Sequence, residues 1–164
     1  MKSLVSLLLL MAFSASLLAG CRPDTVTADD VMADLLSKAG AIPAGTLFSS
    51  SASPYGSAPH LDDSLVASLF SREDGYCEYA ACVESCAVYL GALGENYCEV
   101  GVFVCYGSAD TEAVAAMCLR RARLVRRGLS LPSEQIRVSV HGRTVILAMA
   151  ADAACAARLS SAAE

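Results

Sequence analysis

One stretch constrains the fold more than any other. "ESCAVYLGALGENYCEVGVFVCYG", residues 84–107, holds two apolar runs joined by Gly94-Glu95-Asn96. Three residues of this kind between strand-forming runs read as a hairpin loop. With that loop Leu93 faces Tyr97, and the register pairs Leu90 with Val100, Val88 with Val102 and Cys86 with Val104, all on one face. The opposite face then carries Ala87, Tyr89, Gly101, Phe103 and Cys105. A second hairpin, "IRVSVHGRTVILAMA", turns at His141-Gly142 and pairs Val138 with Val145 and Ile136 with Leu147. These four side chains are expected in the core.

Helical patterns surround the two hairpins. In "TADDVMADLLSKAG", Thr27 and Asp30 have the spacing of an N-terminal capping arrangement, Val31, Leu35 and Ala39 recur at helical period, and Gly40 supplies a stop, which predicts a helix over 28–39. Residues 41–61 are rich in Ser, Gly, Pro and Ala and read as a loop with Leu47 and Phe48 as anchors. "DDSLVASLFSREDG" predicts a short helix with Leu65, Val66, Leu69 and Phe70 on one side, closed by Gly75. "DTEAVAAMCLRRARLVRRG" predicts a longer one, capped by Asp110, with Glu112 in its first turn, an apolar stripe of Val114, Met117, Cys118, Leu124 and Val125, and Gly128 at its end. The Ala-rich tail from residue 151 predicts a last helix with Cys155 and Leu159 toward the body. Together these elements predict a two-layer α+β domain over 27–164, a mostly antiparallel four-stranded sheet built from two hairpins with its helices on one face.

The N-terminus has a different character. Lys2 precedes an apolar segment from Leu4 to Phe13, too short to remain as a membrane span, which needs about 20 residues. It reads as a signal peptide over residues 1–20. Leu18-Ala19-Gly20-Cys21 closes it in the form of a bacterial lipobox, so Cys21 is the expected lipidation site and the first residue of the mature chain, with 21–26 as its spacer. Two or three acyl chains anchor stably where one does not. The alternative is an ordinary secretory signal with an incidental cysteine.

Twelve basic and seventeen acidic side chains give a formal charge of −5, and loss of Lys2 makes the mature chain one charge more negative. That balance argues against nucleic acid as a partner. The seven cysteines beyond Cys21 form an odd set, so intramolecular disulfides cannot consume all of them. Cys77, Cys82 and Cys86 contain no Cys-x-x-Cys pair; they are a candidate thiol or metal cluster, and they also admit a disulfide or simple packing, the expected state of Cys86, Cys98, Cys118 and Cys155. Arg120, Arg121, Arg123, Arg126 and Arg127 crowd the end of the long helix, where the macrodipole favours cations. They read as a solvated face, or as a patch meeting anionic lipid headgroups or wall polymers. His60 beside Asp62 and Asp63 has the composition of a relay or ligand set, but no nucleophile elbow, phosphate loop or zinc-protease motif occurs, and no catalytic residue or cofactor is assigned. On the sheet face away from the helices, Tyr89, Phe103, Cys105 and Ile146 are expected to form an apolar patch, either covered by loop 41–61 through Leu47, Phe48 and Tyr55 or serving as a binding surface.

The lipobox, the "TADDVMADLL" helix, and "EVGVFVCYGSADTEAVAAMCLRRARLV" followed by "GRTVILAMA" resemble a family of uncharacterised Gram-positive lipoproteins catalogued as domain of unknown function 4358. The resemblance covers most of residues 25–160. It implies a cell-envelope location and supplies no catalytic residues; the "DGYCEYAACVESC" segment and the cysteine density depart from it. The sequence thus points to a non-enzymatic binding or assembly protein, held by its N-terminal lipid on the outer face of the cytoplasmic membrane, with an envelope protein or wall polymer as partner. The alternative is a thiol-based redox or metal-handling lipoprotein.

Overall fold

A computed structural model of the chain describes residues 26–92 and 94–164. The signal peptide, the lipobox with Cys21 and the Leu93–Tyr97 pairing all fall outside the described residues. The element order is α1 (Ala28–Ala39), β1 (Gly45–Ser49), α2 (Asp63–Phe70), a single helical turn α3 (Tyr79–Cys82), β2 (Val83–Gly91), β3 (Cys98–Cys105), α4 (Thr111–Leu129), β4 (Ile136–His141), β5 (Thr144–Ala150) and α5 (Ala153–Ala162). The strands form one antiparallel sheet in the order β1-β2-β3-β5-β4. The α+β class follows directly, with five strands rather than four.

The additional strand lies inside the segment read as a loop. β1 pairs with β2 along the sheet edge, Leu47 opposite Tyr89 and Phe48 opposite Val88. Its residues are exposed or half-buried, so it lacks the apolar alternation that marks a strand in sequence. Ser49 then bridges to His60, which closes the loop between them.

Helices cover both faces of the sheet, giving three layers where the sequence suggested two. On one side α2 and α4 bury Val66, Phe70, Val114, Met117, Cys118 and Val125 against Cys86, Val88, Phe103, Cys105, Val145, Leu147 and Met149. On the other, α1 and α5 bury Met32, Leu35, Cys155 and Leu159 against Ala87, Tyr89, Val100, Val102, Ile146 and Ala148. All eight residues of β3 are buried. A strand covered on both faces reads as a near-continuous apolar run rather than an alternating one, and in β3 only Glu99 interrupts it.

That double burial explains why the predicted registers do not hold. In β2–β3 the pairs are Leu90–Glu99, Tyr89–Val100, Val88–Gly101, Ala87–Val102 and Cys86–Phe103, one residue from the expected register. Cys86 and Val88 therefore share a face with Phe103, and Val100, Val102 and Val104 look the other way. Where both faces are apolar, a one-residue slip exchanges one apolar set for another, and the pattern cannot choose between them. In the second hairpin Val138 pairs with Leu147 and Val140 with Val145, a two-residue displacement that leaves the faces unchanged. The loop there is Gly142–Arg143, with Gly142 at φ 59°, the conformation a two-residue hairpin asks of its first turn residue.

Local signals fare better. Thr27 and Asp30 form the complete capping box of α1, and Gly40 follows as its cap. Helix α2 starts at the Asp62 cap but ends at Ser71, short of Gly75. Asp110 makes no side-chain cap on α4; its carboxylate accepts instead from the Gly107 N–H at 3.0 Å, within the turn that leads into the helix. Helix α4 runs past Gly128 to Leu129 and ends on Ser130, which adopts the left-handed conformation.

Candidate functional site

Nineteen residues of α4 present two adjacent arginines to two buried glutamates, and the pairs differ in their surroundings. The buried stripe of the helix is Val114, Met117, Cys118, Ala122 and Val125. Arg121 lies within that stripe, whereas Leu124, expected in it, is 54% exposed. The reason is Glu99, fully buried on β3. Arg121 grips it as a fork, Nε to Oε1 at 3.0 Å and Nη2 to Oε2 at 2.7 Å, and the Tyr97 hydroxyl donates to the same carboxylate. Burial opposes charge on Arg121, but its hydrogen bonds to Glu99 outweigh it and raise the guanidinium pKa; burial together with Glu99 raises the Tyr97 phenol. Both carboxylate oxygens are thus paired out of reach of solvent, and the triad locks α4 to the middle of the sheet.

Glu78, immediately before α3 and only 3% exposed, organises the second pair. Arg72 donates to its Oε1 from Nε at 3.1 Å and from Nη2 at 2.7 Å, and Arg120 donates to Oε2 from the opposite side. Burial alone would raise the Glu78 carboxyl; the hydrogen bonds from Arg120, its own backbone and Arg72 prevail and hold it below the ordinary value of 4.5. Arg72 also stacks over the Tyr76 ring, 5.1 Å from its centroid. Its backbone closes the loop through Arg72 N–H to Tyr76 O at 2.8 Å and Gly75 N–H to Arg72 O at 2.9 Å.

Above this anchor opens a cleft of about 510 Å³ between residues 71–74 and one face of α4, lined by Ser71, Arg72, Glu73, Asp74, Arg120, Arg123, Leu124 and Arg127. Arg120, Arg123 and Arg127 fall on one helix face by their spacing. Two buried polar atoms in the lining, Ser71 Oγ and Arg120 Nε, have no hydrogen-bond partner. Glu78 and Glu99 carry both arrangements, and sequence reading missed both. A signal existed for Glu99: a carboxylate inside an otherwise apolar strand requires a buried cation.

The residues singled out from sequence are dispersed. Tyr89 and Ile146 lie under α1 and α5, Phe103 and Cys105 under α2 and α4, and all four are buried, so the expected patch does not form. Of the three side chains expected to cover it from loop 41–61, only Phe48 packs inward, joined by Leu61, on the side of Phe103 and Cys105, whereas Tyr55 is 98% exposed and Leu47 is exposed at the sheet edge. Tyr89 donates its hydroxyl to Pro43 O at 2.6 Å. His60 Nδ1 bonds Ala52 O at 2.6 Å while Asp62 caps α2, so the suggested relay is local scaffolding.

Cys77 and Cys82 are half-buried and Cys86 is buried; all seven described cysteines are free thiols, and the disulfide considered at Cys77 and Cys82 is not formed. Cys77 Sγ contacts Met117 Sδ at 3.8 Å. Among the described residues no group of three or more His, Cys, Asp or Glu side chains converges as a ligand set. Burial raises the thiol pKa of Cys82 and Cys86, takes Cys98 to about 12 and Cys105 to about 11, and raises Cys118 and Cys155 as well. Such thiols stay protonated at neutral pH and pack as small hydrophobes.

Comparison of the chain with protein-family models, with curated proteins and with solved structures finds no match. The arginine cleft with its buried Glu78 anchor is therefore identified as the candidate site on its own geometry.

Proposed function

We infer that this chain is an exported, lipid-anchored protein that displays a non-enzymatic binding domain on the outer face of the cytoplasmic membrane. The observation that carries this reading is Leu18-Ala19-Gly20-Cys21, which closes a short apolar segment six residues ahead of Thr27 and its capping box. A short polar spacer between lipid and fold suits a domain held close to the membrane. Five of the seven described cysteines are buried, where a thiol packs as a small hydrophobe, which supports binding rather than thiol chemistry as the role of the domain. Mass spectrometry of the mature N-terminus tests the anchor. A diacylglyceryl-modified Cys21, lost together with processing in Cys21→Ser, is the expected result; an unmodified mature terminus overturns it.

A further inference from the structure

We propose that the cleft between residues 71–74 and α4 is a binding site for the phosphate ester of a polyol. The proposal goes beyond the anchoring inferred above and does not depend on it. Four guanidinium groups line the cleft, from Arg72, Arg120, Arg123 and Arg127. Glu78 lies beneath them and binds the first two, which fixes their orientation without occupying the space above. Among the described residues no carboxylate lies within ion-pairing distance of Arg123 or Arg127. In a chain with five excess negative charges, two uncompensated arginines beside two preorganised ones make a local reversal of sign. Guanidinium forks match the several oxygens of a phosphate group.

The rest of the lining selects what the phosphate is attached to. Glu73 and Asp74 stand on the wall facing α4; they would repel a simple polyanion, and although Asp74 Oδ1 already accepts from the Tyr76 N–H at 3.0 Å, the other carboxylate oxygens can accept hydrogen bonds from hydroxyl groups. Leu124, 54% exposed among the arginines, offers an apolar surface to a C–H face. A ligand with a phosphate at one end and hydroxyls on a short carbon skeleton meets all three features. That chemistry has two sources, a free polyol phosphate and the headgroup of a phospholipid such as phosphatidylglycerol.

The test is calorimetric titration of the full chain, held in non-ionic detergent, with glycerol 3-phosphate. Saturable binding is expected, and Arg123→Gln combined with Arg127→Gln should weaken it by roughly 100-fold, each lost charge-assisted bond counting for about 10-fold. Both arginines are exposed and unpaired, so the fold is retained, which circular dichroism checks. A charge-matched control, Arg126→Gln with Arg137→Gln, removes two arginines outside the cleft and should leave affinity within about twofold. Doping the micelles with phosphatidylglycerol separates the sources: reduced apparent affinity identifies the headgroup as occupant, and unchanged affinity a free ligand. No saturable binding, equal losses in the two double variants, or inorganic phosphate binding as tightly as glycerol 3-phosphate would each overturn the proposal.

Discussion

Arg120 and Arg121 are neighbours in sequence, each bound to a buried glutamate, and yet they belong to different kinds of structure. Around Arg121 both oxygens of the Glu99 carboxylate are bonded, by the guanidinium fork and by the Tyr97 hydroxyl, and the carboxylate is sealed between the sheet and α4. Around Arg120 the carboxylate is shared with Arg72 of a surface loop, the Nε is left over, and the space above is open. The contrast separates an ion pair that fixes a fold from one that holds charges ready at a surface. Residue type does not make that distinction; what covers the pair does.

The largest effect expected is at the closed pair. Arg121→Met leaves the fully buried Glu99 carboxylate with only the Tyr97 hydroxyl, and stability measured by urea denaturation should fall by roughly 3–5 kcal/mol. Adding Glu99→Leu to that variant should recover much of the loss, because the uncompensated charge is then gone. A loss below about 1 kcal/mol in the single variant would place Arg121 with the surface arginines. Arg120→Met should cost less, roughly 1–3 kcal/mol, because Arg72 remains on Glu78.

Acid provides a third way to separate the pairs. The Glu78 carboxyl has a lower pKa folded than unfolded, so its contribution is fully present above the ordinary value of 4.5. It is lost as the pH falls from there through the folded-state value, where the unfolded chain binds the extra proton. Glu78→Gln should therefore flatten the dependence of urea stability on pH below 4.5; equal slopes in both proteins would mean the carboxyl is not held down by its arginines. The smallest effect is at the rim, where Arg123→Gln should change the melting free energy by no more than about 0.5 kcal/mol. A larger change would make the cleft part of the scaffold.

The same contrast between local and enclosed structure governs what the sequence reveals. The capping box of α1, the Asp62 start of α2 and the two hairpins depend on residues a few positions apart, and all are legible. The β2–β3 register is not, because Val100, Val102 and Val104 find as apolar a cover under α1 and α5 as Cys86 and Val88 find under α2 and α4. β1 escapes notice because a half-exposed edge strand among serines and prolines carries no period. The cleft is hidden for another reason. Its arginines stand out, but the feature that orders them, Glu78, reads in sequence as one more acid in a polar loop, and Arg121 is masked by the four cations around it.

Gly101, in the middle of β3, reaches further than its size suggests. A Cβ there would lie 2.8 Å from the Phe103 ring, which is fully buried and meets Phe70 edge to face, with centroids 5.2 Å apart. Phe70 is the last residue of α2, and the next residue, Ser71, begins the wall of the cleft. The missing methyl thus acts as a clearance in a short mechanical train running from the backbone of the central strand through two aromatic rings to the rim of the arginine cleft. Filling it would force the Phe103 ring to move, and that ring's edge-to-face partner is the residue that immediately precedes the cleft wall.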